Sequence, residues 1–447
     1  MNKNTNVLFI LADNIGWGDI GAYGGTVPTP NIDRMVKDGL RFNNYTVECQ
    51  CTPTRSALLT GRLPVRSGTF AVPRPGGGDY GLSPWEYTLA NLFKDAGYDT
   101  VMYGKWHLGQ VEGRLPTDQG FDEWWGIKNT SDEASYSQYK LFEQSGGETP
   151  YVWSGKAGEE SKREFIFDLD SRSRMDREIT RRTIDFLADP QRHAKPFFAY
   201  IGLTSIHPPI NVAQEFKGTS GGGPRADSLI ELDARVGQIR KALVQHGLSE
   251  NTILVFSSDN AALQLTYELG GSNGPWRGGF FTPPFEGAYR VPCVVVWPDH
   301  IDSNRTSNQM FTAVDWLPTL AAACNLNELI PTDRAIDGLN AWPSFIDENA
   351  PTARDHVVLY GPDGEIMAVK WHTMKVIYRY CEGADKPIVT PSWPIVFDLL
   401  TDPTERYNMM DTHQNIHWVE KPVQRIIDEL NISMEKHPNI QPGQIHP

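Results

Sequence analysis

The chain has 447 residues, and its 41 basic against 55 acidic side chains leave a formal net charge of -14. With 40% hydrophobic and 21% charged residues it has a globular composition and ample length for a large buried core. The acidic balance excludes a nucleic-acid binder or a polybasic membrane anchor, which need a net positive face, and no apolar run approaches a membrane span.

The first apolar run, residues 7–12, is cut off by Asp13 and Asn14. It is shorter than the apolar region of a secretory signal, and no small-residue cleavage site follows it. The sequence as it stands predicts a cytoplasmic location, or a periplasmic one if a signal peptide has been removed. Three more apolar runs end as abruptly. Residues 100–103 lead into Gly104-Lys105-Trp106-His107, 197–203 into Thr204-Ser205-Ile206-His207, and 253–256 into Ser257-Ser258-Asp259-Asn260. Continuous runs of this length suit strands buried on both faces of a parallel sheet. Between them, 88–96 and 228–246 place leucines, isoleucine, valine and phenylalanine at helical spacing. The alternation predicts an α/β fold with a large, mostly parallel or mixed central sheet sandwiched by helices. Beyond Phe345 the pattern changes. Residues 357–360, 366–371 and 373–380 read as short antiparallel strands, and 419–436 as a final helix. The expected division is a catalytic α/β domain over 1–345 and a smaller subdomain of antiparallel sheet plus helix over 346–447.

Ligands of open α/β sheets bind beyond the carboxyl ends of the strands. Asp13, Lys105, His107, His207, Asp259 and Asn260 would gather at that edge, supplying the groups a metal-assisted anion site uses. Polar strand ends that merely meet solvent explain any one of them, but explain the set poorly. The Gly-rich stretches at 218–224 and 270–279 lack the Gly-Lys-Ser/Thr of a phosphate-cradling loop. Five cysteines are an odd, sparse set that describes no disulfide framework, and Cys49-x-Cys51 is a weak zinc signal. More informative is Cys51-Thr52-Pro53-Thr54-Arg55, followed by Ser56-Ala57-Leu58-Leu59-Thr60-Gly61-Arg62. A cysteine at a helix start beside an arginine sits where negative charge is stabilised, as an active thiol requires. A plain buried cysteine is the competing reading.

This stretch resembles the signature of the type I sulfatases of the alkaline-phosphatase superfamily, in which the cysteine is converted to formylglycine. The resemblance runs over nearly the whole chain. It includes Thr29-Pro30-Asn31-Ile32-Asp33 with Gly39-Leu40-Arg41-Phe42, then Gly104-Lys105-Trp106-His107-Leu108-Gly109 with Gly120-Phe121-Asp122. Leu232-Asp233, Ser258-Asp259-Asn260 and Phe397-Asp398-Leu399 with Asp402-Pro403 continue it. It implies hydrolysis of a sulfate monoester by residue 51, as a hydrated formylglycine attacking sulfur. His107 would take the proton when the covalent intermediate collapses, and His207 would be the general acid for the departing alcohol. Lys105 and Arg55 would neutralise sulfate and formylglycine oxygens. Asp13, Asn14, Asp259 and Asn260, with residue 51, would hold one divalent cation, Ca2+ by family expectation and Mg2+ as the alternative. A formylglycine-generating maturation enzyme is the implied partner.

Three positions depart from the family pattern. Asn14 stands where many members have a second acid, which removes one negative charge. Ala261 stands where glycine usually follows, at a cost of about 1 kcal/mol if that position needs positive φ. The segment from Gly279 to Pro292 lacks the lysine the family often carries before it. Arg277 is the candidate to supply that charge, with an ordinary surface-loop arginine nearly as good a reading. Trp276 and Trp124-Trp125 are the candidate pocket walls. An acidic surface without basic stripes favours a small sulfate ester over a long sulfated polysaccharide. The competing functions are a phosphonate or phosphate ester hydrolase on the same scaffold, and a catalytically silent binder of sulfated ligands. Oligomeric state is not legible in the sequence.

Overall fold

The computed structural model describes residues 5–73, 78–264, 267–383, 385–412 and 414–447. Its centre is a ten-stranded sheet. From one edge the order is Arg305–Ser307, Leu40–Phe42, Cys293–Val296, Thr252–Ser258, Asn6–Ala12, Phe197–Gly202, Asp99–Lys105, Glu123–Ile127, Tyr151–Lys156 and Lys162–Ile166. The central strands, from Thr252–Ser258 to Glu123–Ile127, are parallel to one another. Antiparallel neighbours, Cys293–Val296 and Tyr151–Lys156, close this block on its two sides.

Every residue of Asn6–Ala12 is buried. Because side chains alternate across a strand, Val7, Phe9 and Leu11 enter one core and Leu8, Ile10 and Ala12 the other. The first core is shared with helices Leu89–Asp95 and Trp316–Ala323, the second with Pro30–Asp38, Met175–Ala188 and Pro224–Gln245. Two apolar environments explain the continuous apolar run. All four expected strands form, and the two expected helices form as Leu89–Asp95 and Pro224–Gln245. The first is capped by the Thr88 hydroxyl, which accepts from the Asn91 amide at 3.2 Å.

A second, four-stranded antiparallel sheet comprises His356–Tyr360, Ile366–Trp371, Met374–Ile377 and Ile395–Asp398. The last of these strands was not expected. Helix Glu420–Lys436 covers one face, packing Val423 and Ile426 among Val358, Val369, Val376 and Val396. The other face packs Leu359, Ala368, Ile377 and Phe397 against Phe285, Ala288 and Tyr289.

A buried charge cluster locks that second contact. Glu286 accepts Lys370 Nζ and Lys375 Nζ, each at 2.9 Å, and pairs with Arg290. Lys375 Nζ also reaches Glu405 at 2.8 Å, and the Glu405 carboxylate accepts the Glu286 backbone N–H at 2.7 Å. Burial, then the neighbouring Arg290, pushes the Lys370 ammonium down to about 7. Lys375 has no exposed surface, so deleting its charge leaves the buried Glu405 carboxylate without its cation beside Glu286. Lys375→Met is expected to lower the unfolding free energy by about 3–5 kcal/mol, measured by urea denaturation. A loss under about 1 kcal/mol would mean the junction does not depend on this ion pair.

Candidate active site

Asp13, Lys105 and Asp259 stand at or just past the carboxyl ends of three of the parallel strands, with Phe197–Gly202 between the strands of Asp13 and Lys105, and all three residues are fully buried. The strands approach unusually closely here. Gly104 has φ 113°, and a Cβ on it would collide with the Gly202 carbonyl of the next strand. Facing this edge is the buried helix Cys51–Thr60, which opens on Cys51 itself. The Thr52 hydroxyl donates to the His107 carbonyl at 2.8 Å, tying the first turn of that helix to the Lys105–His107 segment.

Two buried ion pairs lie beside residue 51. Lys105 Nζ donates to Asp13 Oδ2 at 2.8 Å. Arg55 donates from Nε and Nη2 to Asp259 Oδ2 at 3.0 and 2.8 Å, and from Nη1 to the Lys105 carbonyl at 2.7 Å. Cys51 Sγ is 3.8 Å from Asp13 Oδ1. Burial first, then the Asp259 charge, pushes the Cys51 thiol well above its ordinary value, against the pull of Lys105. The unmodified thiol is therefore protonated, contrary to the expectation that the helix start and Arg55 would favour thiolate. Burial works to lower the Lys105 ammonium, but Asp13, Cys51 and Asp259 outweigh it and raise it.

Asn14 and Asn260 complete the cluster. Asn14 sits at φ 65°, and its side-chain oxygen accepts from the Asn260 amide. This leaves Asn260 Oδ1 buried without a hydrogen-bond partner. An orphaned amide oxygen beside two buried carboxylates is a donor set that a hard divalent cation satisfies. Asp13, Cys51 and His207 also bring potential ligand atoms within 4.8 Å of one another, so the site contains a possible metal-binding group. Ala261 is not at positive φ, so its side chain carries no backbone strain.

His107 is at φ 60°, and its Nδ1 is buried without a partner. Burial, reinforced by Lys105 and Arg55, holds its pKa well below 6.5, so the ring is neutral. His207 Nδ1 lies 2.5 Å from the Pro208 carbonyl, which can only accept, so the neutral ring carries its proton on Nδ1. Its Nε2 stands 3.4 Å from Thr130 Oγ1 and 3.8 Å from the Asp132 carboxylate. Burial lowers the His207 pKa to about 4, with Lys105 adding to the shift and Asp132 opposing it.

Cys51, His107 and His207 open into a cavity of about 300 Å3, which is also lined by Tyr80, Asn129, Asp132, Glu133, Tyr136, Phe280 and Phe281. The sequence reading missed all of these wall residues. Residues 128–130 could have been placed there had Glu123–Ile127 been read as a fifth parallel strand, since its carboxyl end reaches the same edge. Arg172 and Asp176 were also missed. Arg172 donates to the Thr204 and His207 carbonyls at 2.9 and 3.0 Å, and Asp176 accepts the Thr204 and Ser205 amides at 2.7 and 2.9 Å. Together they hold the loop that presents His207.

Arg277 and Trp276 are not brought into the cavity. The Arg277 guanidinium stacks 3.9 Å over Phe285 and donates to the Glu405 carbonyl and Glu382, each at 3.0 Å. These partners satisfy it on the side of the second sheet. Trp276 packs edge-on against Trp17 with Arg290 over its ring. Trp124 and Trp125 are core residues, one on each face of the central sheet.

A sulfatase family model matches residues 5–326. The chain is 33% identical to N-acetylgalactosamine-6-sulfatase of Homo sapiens over 90% of this chain and 81% of that protein. It is 33% identical to arylsulfatase A of Homo sapiens over 91% and 83%, respectively. Among solved structures, the PsFucS1 sulfatase from Pseudoalteromonas sp. matches with a TM-score of 0.90 and 28% identity, covering 98% of this chain and 92% of that one.

The neutral, buried His207 makes stability depend on pH. Its folded pKa of about 4 lies below the ordinary 6.5, so below 6.5 the unfolded chain binds more protons. The stability this ring contributes is complete above pH 6.5 and falls as pH drops toward 4. His207→Gln is expected to flatten the fall in thermal midpoint across that window. An unchanged slope would show that the ring is already charged in the folded protein.

Proposed function

We propose that this chain, which belongs to the sulfatase family and hydrolyses sulfate esters, does so with Cys51 matured to formylglycine and one divalent cation bound beside it. Its substrate on this reading is a small sulfate ester, and its partner in maturation is a formylglycine-generating enzyme. The observation that carries the reading is the position of Cys51. It lies on the cavity floor, beside the Asp13–Lys105 and Asp259–Arg55 pairs, with His107 and His207 opening into the same cavity. The division of the chain at residues 345 and 346 into catalytic domain and C-terminal subdomain belongs to the same proposal.

Formylglycine, when hydrated, supplies an oxygen nucleophile where the protonated thiol offers none. Asp13, Asn14, Asp259 and Asn260 would hold the cation. An all-oxygen set favours Ca2+, with Mg2+ second, and the ion would draw charge from the sulfate oxygens. Lys105 presents positive charge to the same oxygens. Arg55, with all its nitrogens engaged, fixes the Asp259 carboxylate and the Lys105 backbone. The unpartnered Nδ1 of neutral His107 is available to accept a proton. His207, anchored through Nδ1, turns Nε2 toward the leaving-group side, where it is the general acid of this proposal. An anionic ester bound alongside would raise the His207 pKa from about 4.

Peptide mass spectrometry of protein co-expressed with a formylglycine-generating enzyme should find residue 51 as the aldehyde or its hydrate. Cys51→Ala and Cys51→Ser should abolish turnover of aryl sulfates with the fold intact, and near-normal activity in either would rule out this nucleophile. His207→Ala should lower kcat/KM by roughly a hundredfold or more on alkyl sulfates and far less on 4-nitrophenyl sulfate. Equal losses on both would remove His207 from the acid role. Chelation should inactivate the enzyme, and Ca2+ should restore it better than Mg2+. Full activity in protein shown to be metal-free by elemental analysis would contradict the cation site. Assays on matched aryl sulfates, phosphates and phosphonates should favour the sulfate, and a large preference for the phosphonate would replace it as the substrate class.

A further inference from the structure

His207 stands on a turn that leaves the strand Phe197–Gly202 and runs into the cavity. Backbone bonds tie this turn to the neighbouring strand end. The Leu203 amide donates to the Leu11 carbonyl at 2.9 Å, Asp13 to the Ser205 carbonyl at 3.0 Å, and Ile206 back to the Asp13 carbonyl at 2.6 Å. The His207 amide then closes on the Thr204 carbonyl at 3.2 Å. The place of the imidazole relative to Asp13 is therefore set by the shape of residues 204–207.

Two buried charges outside the cavity hold that shape. Asp176, in the first turn of helix Met175–Ala188, and Arg172, just before that helix, are each 3% exposed, and neither lines the cavity. Asp176 Oδ1 accepts both the amide and the hydroxyl of Thr204 at 2.7 Å, and Oδ2 accepts the Ser205 amide at 2.9 Å. Arg172 Nη1 donates to the same hydroxyl at 2.8 Å, while its Nη2 spans the Thr204 and His207 carbonyls. The Thr204 hydroxyl, donating to the carboxylate and accepting from the guanidinium, joins the two. Burying two ions costs hydration that neutral side chains would not lose. What they return here is directional: charge-assisted bonds to the amides and carbonyls of one turn, which fix its backbone and with it the direction of His207 Nε2.

We propose that Asp176, with Arg172 as its partner, is a positioning residue for the leaving-group step: it holds residues 204–207 in the shape that keeps His207 Nε2 aimed at the departing oxygen. The inference rests on the reading of His207 as the general acid and adds the group that aims it. A proton donor works only within hydrogen-bond reach, so a turn relaxed by about 1 Å loses acid assistance while the chemistry around residue 51 continues.

The test uses matured protein and two esters of similar shape: 4-nitrophenyl sulfate, whose phenolate departs readily, and 4-methoxyphenyl sulfate, whose phenolate needs the proton. Asp176→Asn keeps the volume but turns an amide N–H toward the Ser205 N–H. It should lower kcat/KM on the methoxy ester by about tenfold or more and on the nitro ester by about threefold or less. Combined with His207→Ala it should cost no more than about twofold beyond the His207→Ala loss, because the acid it aims is already gone. Thr204→Val, which removes the hydroxyl shared by Asp176 and Arg172, should show the same order of losses and decides the matter if Asp176→Asn does not fold. No loss, equal losses on the two esters, or losses that multiply in the double variant would overturn the proposal and leave Asp176 a role in stability alone. A His207→Ala variant that itself loses both esters equally would remove the acid and the aiming group with it. Wild-type protein that hydrolyses neither ester would overturn the sulfatase reading and this inference together.

Discussion

The constraint on which the site depends is the burial of four formal charges beside residue 51. Asp13, Lys105, Arg55 and Asp259 have no exposed surface, and isolated charges in such a place would cost far more than the fold could bear. They are tolerable because they form two pairs of opposite sign, joined by the hydrogen bond from Arg55 to the Lys105 carbonyl. The parallel sheet makes this possible. Parallel strands of one sheet, two adjacent and the third one strand further on, deliver Asp259, Asp13 and Lys105 to one edge at fixed spacing, and the helix starting at Cys51 brings Arg55 across to meet them. Each pair supplies one carboxylate to the proposed cation and keeps one cation near the proposed sulfate position. The same two pairs therefore serve both stability and electrostatics.

The second sheet bears on the site through the segment between Arg277 and Arg290. At one end Arg277 reaches Glu405, and at the other Glu286 is locked among Lys370, Lys375 and Glu405. The Gly287 amide donates back to the Arg277 carbonyl at 2.7 Å, closing the segment into a loop. Phe280 and Phe281 ride on that loop into the cavity wall, with the Phe280 amide pinned to the Ala262 carbonyl at 3.1 Å. This part of the cavity wall is thus braced by a charge cluster outside the cavity. Arg277 contributes as part of this brace, and sequence spacing alone could not distinguish a brace from a ligand.

The legible part of the fold was the part under the strongest constraint. Strands buried on both faces must be apolar throughout, so the run ending at Ala12 and its three counterparts stood out and marked the functional edge. Glu123–Ile127 is also parallel and central, but its Glu-Trp-Trp-Gly-Ile sequence, with a charged start and bulky aromatics, gave no such signal. With it went Thr130 and Asp132 beside His207. Trp124 and Trp125 were mistaken for cavity walls because large aromatic side chains serve cores and binding sites equally well. The short strands Leu40–Phe42 and Arg305–Ser307 exist through pairing with distant segments and have no local pattern. The candidate site residues were chosen by chemical type at strand ends and by resemblance. Their partners Arg172 and Asp176 lie on helices, where nothing in the pattern separates a loop-holding charge from a surface one.

The environment of Cys51 bears directly on the proposal that residue 51 acts as formylglycine rather than as a thiol. Thiolate catalysis needs a low pKa, which comes from net positive surroundings and some access to water. Here both cations are matched by carboxylates, and Asp13 stands 3.8 Å from the sulfur, so burial and negative charge both favour the neutral thiol. Removing either carboxylate would ease the thiol's ionisation, but would also dismantle the oxygen cluster that includes Asn260 and strand Lys105 or Arg55 unpaired. An oxygen nucleophile from a hydrated aldehyde has its second hydroxyl as an internal route for releasing the product, so it does not need a stable anion at rest. On this reading the acids beside residue 51 are compatible with catalysis only after maturation, and the encoded cysteine is a precursor.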